Sequence, residues 1–248
     1  MLLFNETVAL VTGAAQRVGR EIALALARAG CDIVVHYRDS ELEAILLAEE
    51  IREMGREAWT VQGDLSESGA AGKIMREAWE QAAWIDILVN NAACYTRETL
   101  EEAVETDFDY AMRVNAIAPV MLAREMSLLA AGTDVLPGGY RGRVINILDR
   151  DIVRNGAGRL PYWLSKKTLE AATRGLAAEL APRFTVNAVA PGPVLTAANP
   201  EEREAAGDIP LGLRPTPQDV AECVLFLARS TATTGQVIYT DGGQHLLS

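Results

Sequence analysis

Short apolar runs alternate along this chain with longer segments of helical periodicity. The apolar runs are Thr7 to Val11, Asp32 to Val35, Ala58 to Val61, Ile85 to Val89, Arg143 to Leu148, Phe184 to Ala190 and Gln236 to Tyr239. Helices are predicted between them, over Ile22 to Ala29, Ser40 to Gly55, Ser66 to Ala83, Thr106 to Ala130, Pro161 to Leu169 and Gln218 to Ala228. Strands that are apolar throughout and separated by helices form a parallel sheet covered on both faces. Ligands of such α/β sheets bind beyond the carboxyl ends of the strands. Residues 195–216 are rich in Pro, Ala and Glu and carry neither pattern. A stretch of that length in a compact domain is expected to be a functional lid or a mobile loop.

Composition narrows the class. No Pro/Gly/Ser-rich linker, charge block or repeat divides the 248 residues, so one domain over 1–248 is expected. No apolar run is long enough to span a bilayer, and MLLFNETVAL lacks the basic segment and long apolar core of a secretion signal. A cytoplasmic protein is expected. Cys31, Cys94 and Cys223 are scattered without metal-like spacing, and His36 and His245 are the only histidines, so no metal site is predicted. The net charge of −11 argues against nucleic acid and anionic membrane as partners. An anionic ligand must then be held by local basic groups and backbone N–H groups.

The first apolar run supplies such a place. It ends in TGAAQRVG, and strand, glycine turn and helix together can set phosphate oxygens on a helix N-terminus. Gly13 would allow the tight turn, and Gly19 the close approach of helix to strand. The middle glycine of the common fingerprint is absent. The second run ends in His36-Tyr37-Arg38-Asp39. A carboxylate about 20 residues past the glycines grips adenosine ribose hydroxyls, whereas an arginine accommodates a 2′-phosphate. Arg17 and Arg38 favour NADP(H) over NAD(H). Asp39 is expected to point away. Asp64, after the third run, either accepts from an adenine amino group or caps the next helix. Asn115, within RVNAIAP, is either a satisfied core amide or a holder of water.

The segment PYWLSKKTL carries the chemistry. Tyr162 and Lys166 lie one helical turn apart on one face. With six tyrosines and three lysines in the chain, chance produces such a pair less than once on average. An ammonium beside a phenol favours the phenolate, which would lower the tyrosine pKa and ready it for proton transfer.

TGAAQRVG, GDL, NNAA, the Asn115 segment, Asp149 with YWLSK, APGPVLT and TDGG follow one another in register. In these motifs the whole chain resembles the short-chain dehydrogenase/reductase family. The resemblance implies a Rossmann-type doubly wound α/β sheet of seven parallel strands, a nicotinamide cofactor and a homotetramer. It assigns Tyr162 as general acid/base, Lys166 to the nicotinamide ribose and the tyrosine pKa, and Asn115 to a water linking Lys166 to solvent. It places Asn91 near the ribose and the backbone of Val194 near the carboxamide, with Thr196 nearby. The cofactor set is completed by Val18, Leu65, Ala92, Pro191 and Gly192.

One departure is informative. Where the family has serine, thirteen residues before the tyrosine, this chain has Asp149. A carboxylate repels a carbonyl oxygen that gains negative charge, and it opposes ionisation of Tyr162. The pair is suited to holding and then donating a proton, to a substrate with N–H donors that is protonated on nitrogen. That pattern, with the TGAAxR loop, the HYR strand end and Tyr95 just after NNA, resembles the pteridine reductase branch. There Tyr95 would stack on the pterin. Ala93 stands where some of these enzymes have a ligand-contacting serine. The expected function is NADPH-dependent reduction of a dihydropteridine, of dihydrobiopterin, dihydromonapterin or dihydrofolate type. A carbonyl or 3-oxoacyl reductase on the same fold and a non-catalytic NADPH-binding protein are the alternatives.

Overall fold

The computed structural model describes residue 4 and residues 6–96, 98–132, 141–154, 156–194 and 209–247. Its elements follow the order β1 (Val8–Val11), α1 (Arg17–Arg28), β2 (Asp32–Tyr37), α2 (Glu41–Glu53), β3 (Ala58–Gln62), α3 (Ala70–Ala82), β4 (Ile87–Asn90) and α4 (Glu105–Met112). A π-helical turn, Arg113–Ile117, then leads into α5 (Ala118–Ala131). The chain continues with β5 (Gly142–Ile147), a 3-10 turn at Arg150–Val153, α6 (Leu160–Glu179), β6 (Phe184–Pro191), α7 (Pro217–Arg229), β7 (Val237–Thr240) and a 3-10 turn at Gln244–Leu247.

All seven strands are parallel in one sheet, in the order β3-β2-β1-β4-β5-β6-β7. The chain winds outward from β1 to β3, then returns to the other side of β1 and winds outward again. The direction reverses between β1 and β4, so the loops after these two strands diverge and leave a crevice. The period-two alternation of strand side chains divides the core. Ala9 and Val11 of β1 face one helical layer and pack with Ile22 of α1, Leu47 of α2 and Val224 of α7. Val8 and Leu10 face the other and pack with Ile74 of α3 and Leu122 of α5. Burial of each such side chain is worth about 1.5–3 kcal/mol. The buried strands and the helices on both sides make this a Rossmann-type α/β fold.

Two expectations are corrected. The continuous helix predicted over Thr106 to Ala130 is divided by the π-helical turn, which has Asn115 at its centre. The run Glu105–Ala131 is also long and apolar enough, with hydropathy 1.3, to cross a membrane by length and composition. Half of its most apolar window is buried within the protein. Leu122, Ala123 and Met126 are fully enclosed there, as in a core helix.

Candidate active site

The crevice between β1 and β4 opens over the glycine turn. Gly13 has a φ of +60°, a conformation that L side chains rarely adopt, and an added Cβ would lie 3.1 Å from Ala92 Cα. A Cβ on Gly19 would lie 2.3 Å from the Gly13 carbonyl oxygen and 2.5 Å from Asn91 Nδ2. The close packing expected of Gly19 is thus a steric requirement. The Asn91 amide holds the turn, donating from Nδ2 to the carbonyls of Thr12 at 2.9 Å and Gly13 at 3.1 Å. α1 begins without a side-chain cap and with no acidic residue in its first turn. Its leading N–H groups are therefore available to an anion.

A cleft of about 490 Å³ follows. Its lining includes Gly13, Arg17, Val18 and Gly19 from the turn, and Asn91 and Ala92 from the end of β4. His36, Tyr37, Arg38, Asp64 and Leu65 complete the predicted residues along it. They do different work. His36 is buried, accepts the Gly13 N–H at Nδ1 (3.1 Å) and has Nε2 3.1 Å from the Gly63 carbonyl. Burial lowers its pKa to about 4, so a neutral ring ties β2 to both the glycine turn and the end of β3. Arg38 is half-exposed and donates from Nη1 to the Tyr110 hydroxyl at 2.7 Å. Its Nε donates to Asp39 Oδ2 at 2.6 Å. Asp39 therefore does not point away. A neighbouring carboxylate is the nearest counter-ion for the guanidinium. Asp64 Oδ1 accepts the Ser66 N–H at 2.8 Å, closing a turn ahead of α3; it does not cap that helix, which starts four residues later than expected, at Ala70, with Gly69 as its N-cap. Burial opposes the charged form of Asp64, but the Ser66 bonds outweigh that and hold its pKa below the ordinary value.

The lining of this cleft stops at Cys94, and beside it the segment after β5 delivers Asp149 and α6 delivers Tyr162 and Lys166. The Tyr162 hydroxyl donates to Asp149 Oδ2 at 2.8 Å, and Asp149 Oδ1 accepts the Asp151 N–H at 2.8 Å. Lys166 Nζ donates to the Ile147 carbonyl at 2.8 Å and lies 5.9 Å from the Tyr162 ring centre. Tyr162 and Lys166 are both buried. The expected lowering of the tyrosine pKa by Lys166 does not dominate here. Burial first, then the Asp149 charge, push Tyr162 well above its ordinary value. Burial, reinforced by Asp151, raises Asp149 as well. Burial lowers Lys166 to about 8. The arrangement keeps the proton on the tyrosine until something takes it.

Of the two roles weighed for Asn115, the structure shows a satisfied buried amide. Its Oδ1 accepts the Cys94 N–H and its Nδ2 donates to the Cys94 carbonyl and to Ser165 Oγ, each at 2.9 Å. It thereby pins the residue before Tyr95. The Tyr95 ring is half-exposed and meets Tyr162 edge-on, with 4.7 Å between ring centres and 72° between planes. Beyond β6, a Cβ on Gly192 would lie 2.9 Å from Asp241 Cα, and the Val194 N–H donates to the Gly192 carbonyl at 2.9 Å. Pro191 is in register with Thr240 of β7. Thr196 and most of the expected loop lie outside the described residues.

The sequence model of one family, described as enoyl-(acyl carrier protein) reductase, matches residues 13–245. The chain belongs to the short-chain dehydrogenase/reductase family. It is an oxidoreductase. It is 33% identical over 250 residues to a 3-oxoacyl-[acyl-carrier-protein] reductase of Synechocystis, over 98% of each chain. Among solved structures it is similar to FolM alternative dihydrofolate reductase 1 of Brucella suis in complex with NADP, with TM-score 0.87, 34% identity and 97% and 95% of the two chains covered. The angucycline C-6 ketoreductase LanV with bound NADP gives TM-score 0.88 at 33% identity, over 98% and 97%.

Sequence reasoning passed over two residues of this short-chain dehydrogenase/reductase, Asp151 and Arg159. Arg159 Nη1 lies 2.9 Å from Asp151 Oδ2 and donates to the Tyr95 hydroxyl at 2.8 Å. The signal was present in DRDIVRNGAGR, where three arginines accompany two aspartates in an otherwise acidic chain.

Proposed function

We propose that this protein is an NADPH-dependent reductase that converts a dihydropteridine to its tetrahydro form. The observation that carries the reading is the half-buried Asp149 carboxylate, 2.8 Å from the Tyr162 hydroxyl. In a carbonyl reductase, negative charge develops on the substrate oxygen, and a carboxylate beside it raises the barrier. An imine-type ring nitrogen is basic enough to take its proton before or with the hydride, so less negative charge builds on it, and Asp149 can accept from pterin N–H groups. The FolM likeness supports the same substrate class.

The cofactor is NADP(H). The glycine cradle, the uncapped start of α1 and the guanidiniums of Arg17 and Arg38 fit a diphosphate and a 2′-phosphate. When bound, it supplies the hydride. Lys166, one helical turn beyond Tyr162, holds the nicotinamide ribose in this reading. Tyr95 covers the substrate ring, with Asn115 fixing the backbone before it. Tyr162 Oη gives its proton to the ring nitrogen beside the carbon that is reduced, and Asp149 orients the hydroxyl for that transfer. We read the whole chain as one dinucleotide-binding domain with a substrate loop around 195–216.

The test is NADPH oxidation with dihydrobiopterin and dihydrofolate in one set and an acetoacetyl thioester in the other. Pterin turnover that falls on the order of 10²-fold in Asp149→Ser is the expected result. The second reading, a 3-oxoacyl reductase, is favoured by the Synechocystis relative. Thioester turnover that rises in Asp149→Ser, with no pterin turnover in either protein, would replace the first reading with the second.

A further inference from the structure

A closed ring of contacts surrounds the proton donor. Asp149 accepts the Tyr162 hydroxyl at one oxygen and the Asp151 N–H at the other. The Asp151 carboxylate is 2.9 Å from Arg159 Nη1, which also donates to the Tyr95 hydroxyl at 2.8 Å. The Tyr95 ring returns to Tyr162 edge-on at 4.7 Å. Three of these side chains have a role in the proposed reaction. Asp151 and Arg159 have none so far.

Their construction is costly for an incidental pair. The Asp151 side chain is only 6% exposed, and a buried carboxylate persists when cations and donors compensate it. Arg150 Nε at 3.5 Å, Arg154 Nε at 3.8 Å and Arg159 supply the cations. Trp163 Nε1 donates to the Asp151 carbonyl at 2.9 Å, fixing the backbone as well. Tyr95, by contrast, stands on a segment without helix or strand and is half-exposed. The orientation of a ring placed that way is narrowed when its far end is held. Arg159 holds that end, with its guanidinium carbon 6.0 Å from the ring centre.

We propose that Asp151 and Arg159 form a clamp that fixes the Tyr95 ring relative to Tyr162, and so sets the slot into which a flat bicyclic substrate fits. Both are positioning residues. The assignment of the slot to a pterin rests on the function proposed above; the clamp itself does not.

Amide hydrogen exchange over residues 92–96 reads the clamp without any substrate. Arg159→Met and Tyr95→Phe each remove one side of the same hydrogen bond, and Tyr95→Phe keeps the ring. Each is expected to accelerate exchange about fivefold, and the double variant no further, because both act on one contact. Arg154→Met removes a cation from the same carboxylate without touching Tyr95 and leaves exchange unchanged. In turnover of dihydrobiopterin, Arg159→Met and Tyr95→Phe each raise KM about tenfold with kcat within about twofold, and Arg159→Lys in place of Met restores part of the loss. Single effects that multiply in the double variant, or wild-type exchange in Arg159→Met, would overturn the clamp. Coupled exchange in a protein that turns over no pterin would support the clamp and defeat the substrate reading.

Discussion

The dinucleotide cleft and the adjoining Asp149–Tyr162–Lys166 cluster, the two ends of the candidate site, are built on different principles. At the dinucleotide end the working parts are backbone, and the side chains serve it: Asn91 bonds to two carbonyls of the glycine turn and His36 accepts one of its N–H groups. At the reducing end the working parts are ionisable side chains, buried Tyr162 and Lys166 and half-buried Asp149, with the Asp149–Tyr162 bond above all. Backbone geometry tolerates changes of sequence as long as the turn can close, which explains how a cleft forms here without the middle glycine of the usual fingerprint. Buried charges tolerate little, because each sets the protonation of the next. A substitution at the reducing end therefore changes the chemistry, whereas one at the dinucleotide end changes affinity or stability.

The sharpest contrast is Tyr162→Phe. The ring and its packing against Tyr95 remain, and only the proton is lost. Turnover is expected to fall about 10²–10⁴-fold, with little change in NADPH binding measured by fluorescence titration. A loss of NADPH binding as large as the loss of turnover would break the division between the two ends.

Much of this division was readable in the amino-acid order. The apolar runs placed all seven strands because buried parallel strands have no polar face to obscure them. Gly13, Gly19, Tyr162 and Lys166 were readable because spacing along one turn or one helix face is a local property, whereas Asp149 stood out only through the family resemblance. The π turn at Arg113–Ile117 was not, since one extra residue in a helical turn leaves the apolar pattern almost unchanged. The neutral state of His36 and the raised pKa of Tyr162 depend on burial by distant segments. The link from Asp151 through Arg159 to Tyr95 joins positions 64 residues apart and has no local pattern. The position of Asp39 was not legible either, because a carboxylate next to Arg38 in sequence can turn toward its guanidinium or away from it, and only the folded side chains decide.

A smaller effect tests the dinucleotide end through stability. The unfolded chain takes up a proton on His36 near the ordinary value of 6.5, while the native protein does so only near 4. Between these values unfolding binds a proton, so native stability falls as the pH is lowered through the window. The contribution is on the order of 3 kcal/mol at most, complete by about pH 4. The neutral amide in His36→Gln can still donate and accept, and it does not titrate. The difference in urea midpoint between the two proteins should narrow steadily from pH 6.5 toward 4. A constant difference would mean that His36 is protonated in the native state and that the turn is held in another way.

The smallest expected effect concerns Asp39. Its side chain is 73% exposed and accepts from Arg38 Nε, leaving other guanidinium N–H groups for a phosphate. Exposed ion pairs contribute about 0–1 kcal/mol, so the carboxylate competes with a 2′-phosphate only weakly, through its charge more than through the bond. Asp39→Asn keeps an acceptor for Nε and removes the charge. NADPH should then bind up to about fivefold more tightly, with NADH unchanged. An equal gain for both cofactors would mean that Arg38 responds to the shared part of the nucleotide. The adenosine end would then owe its NADP(H) preference to Arg17, which sits with a φ of +53° at the start of α1.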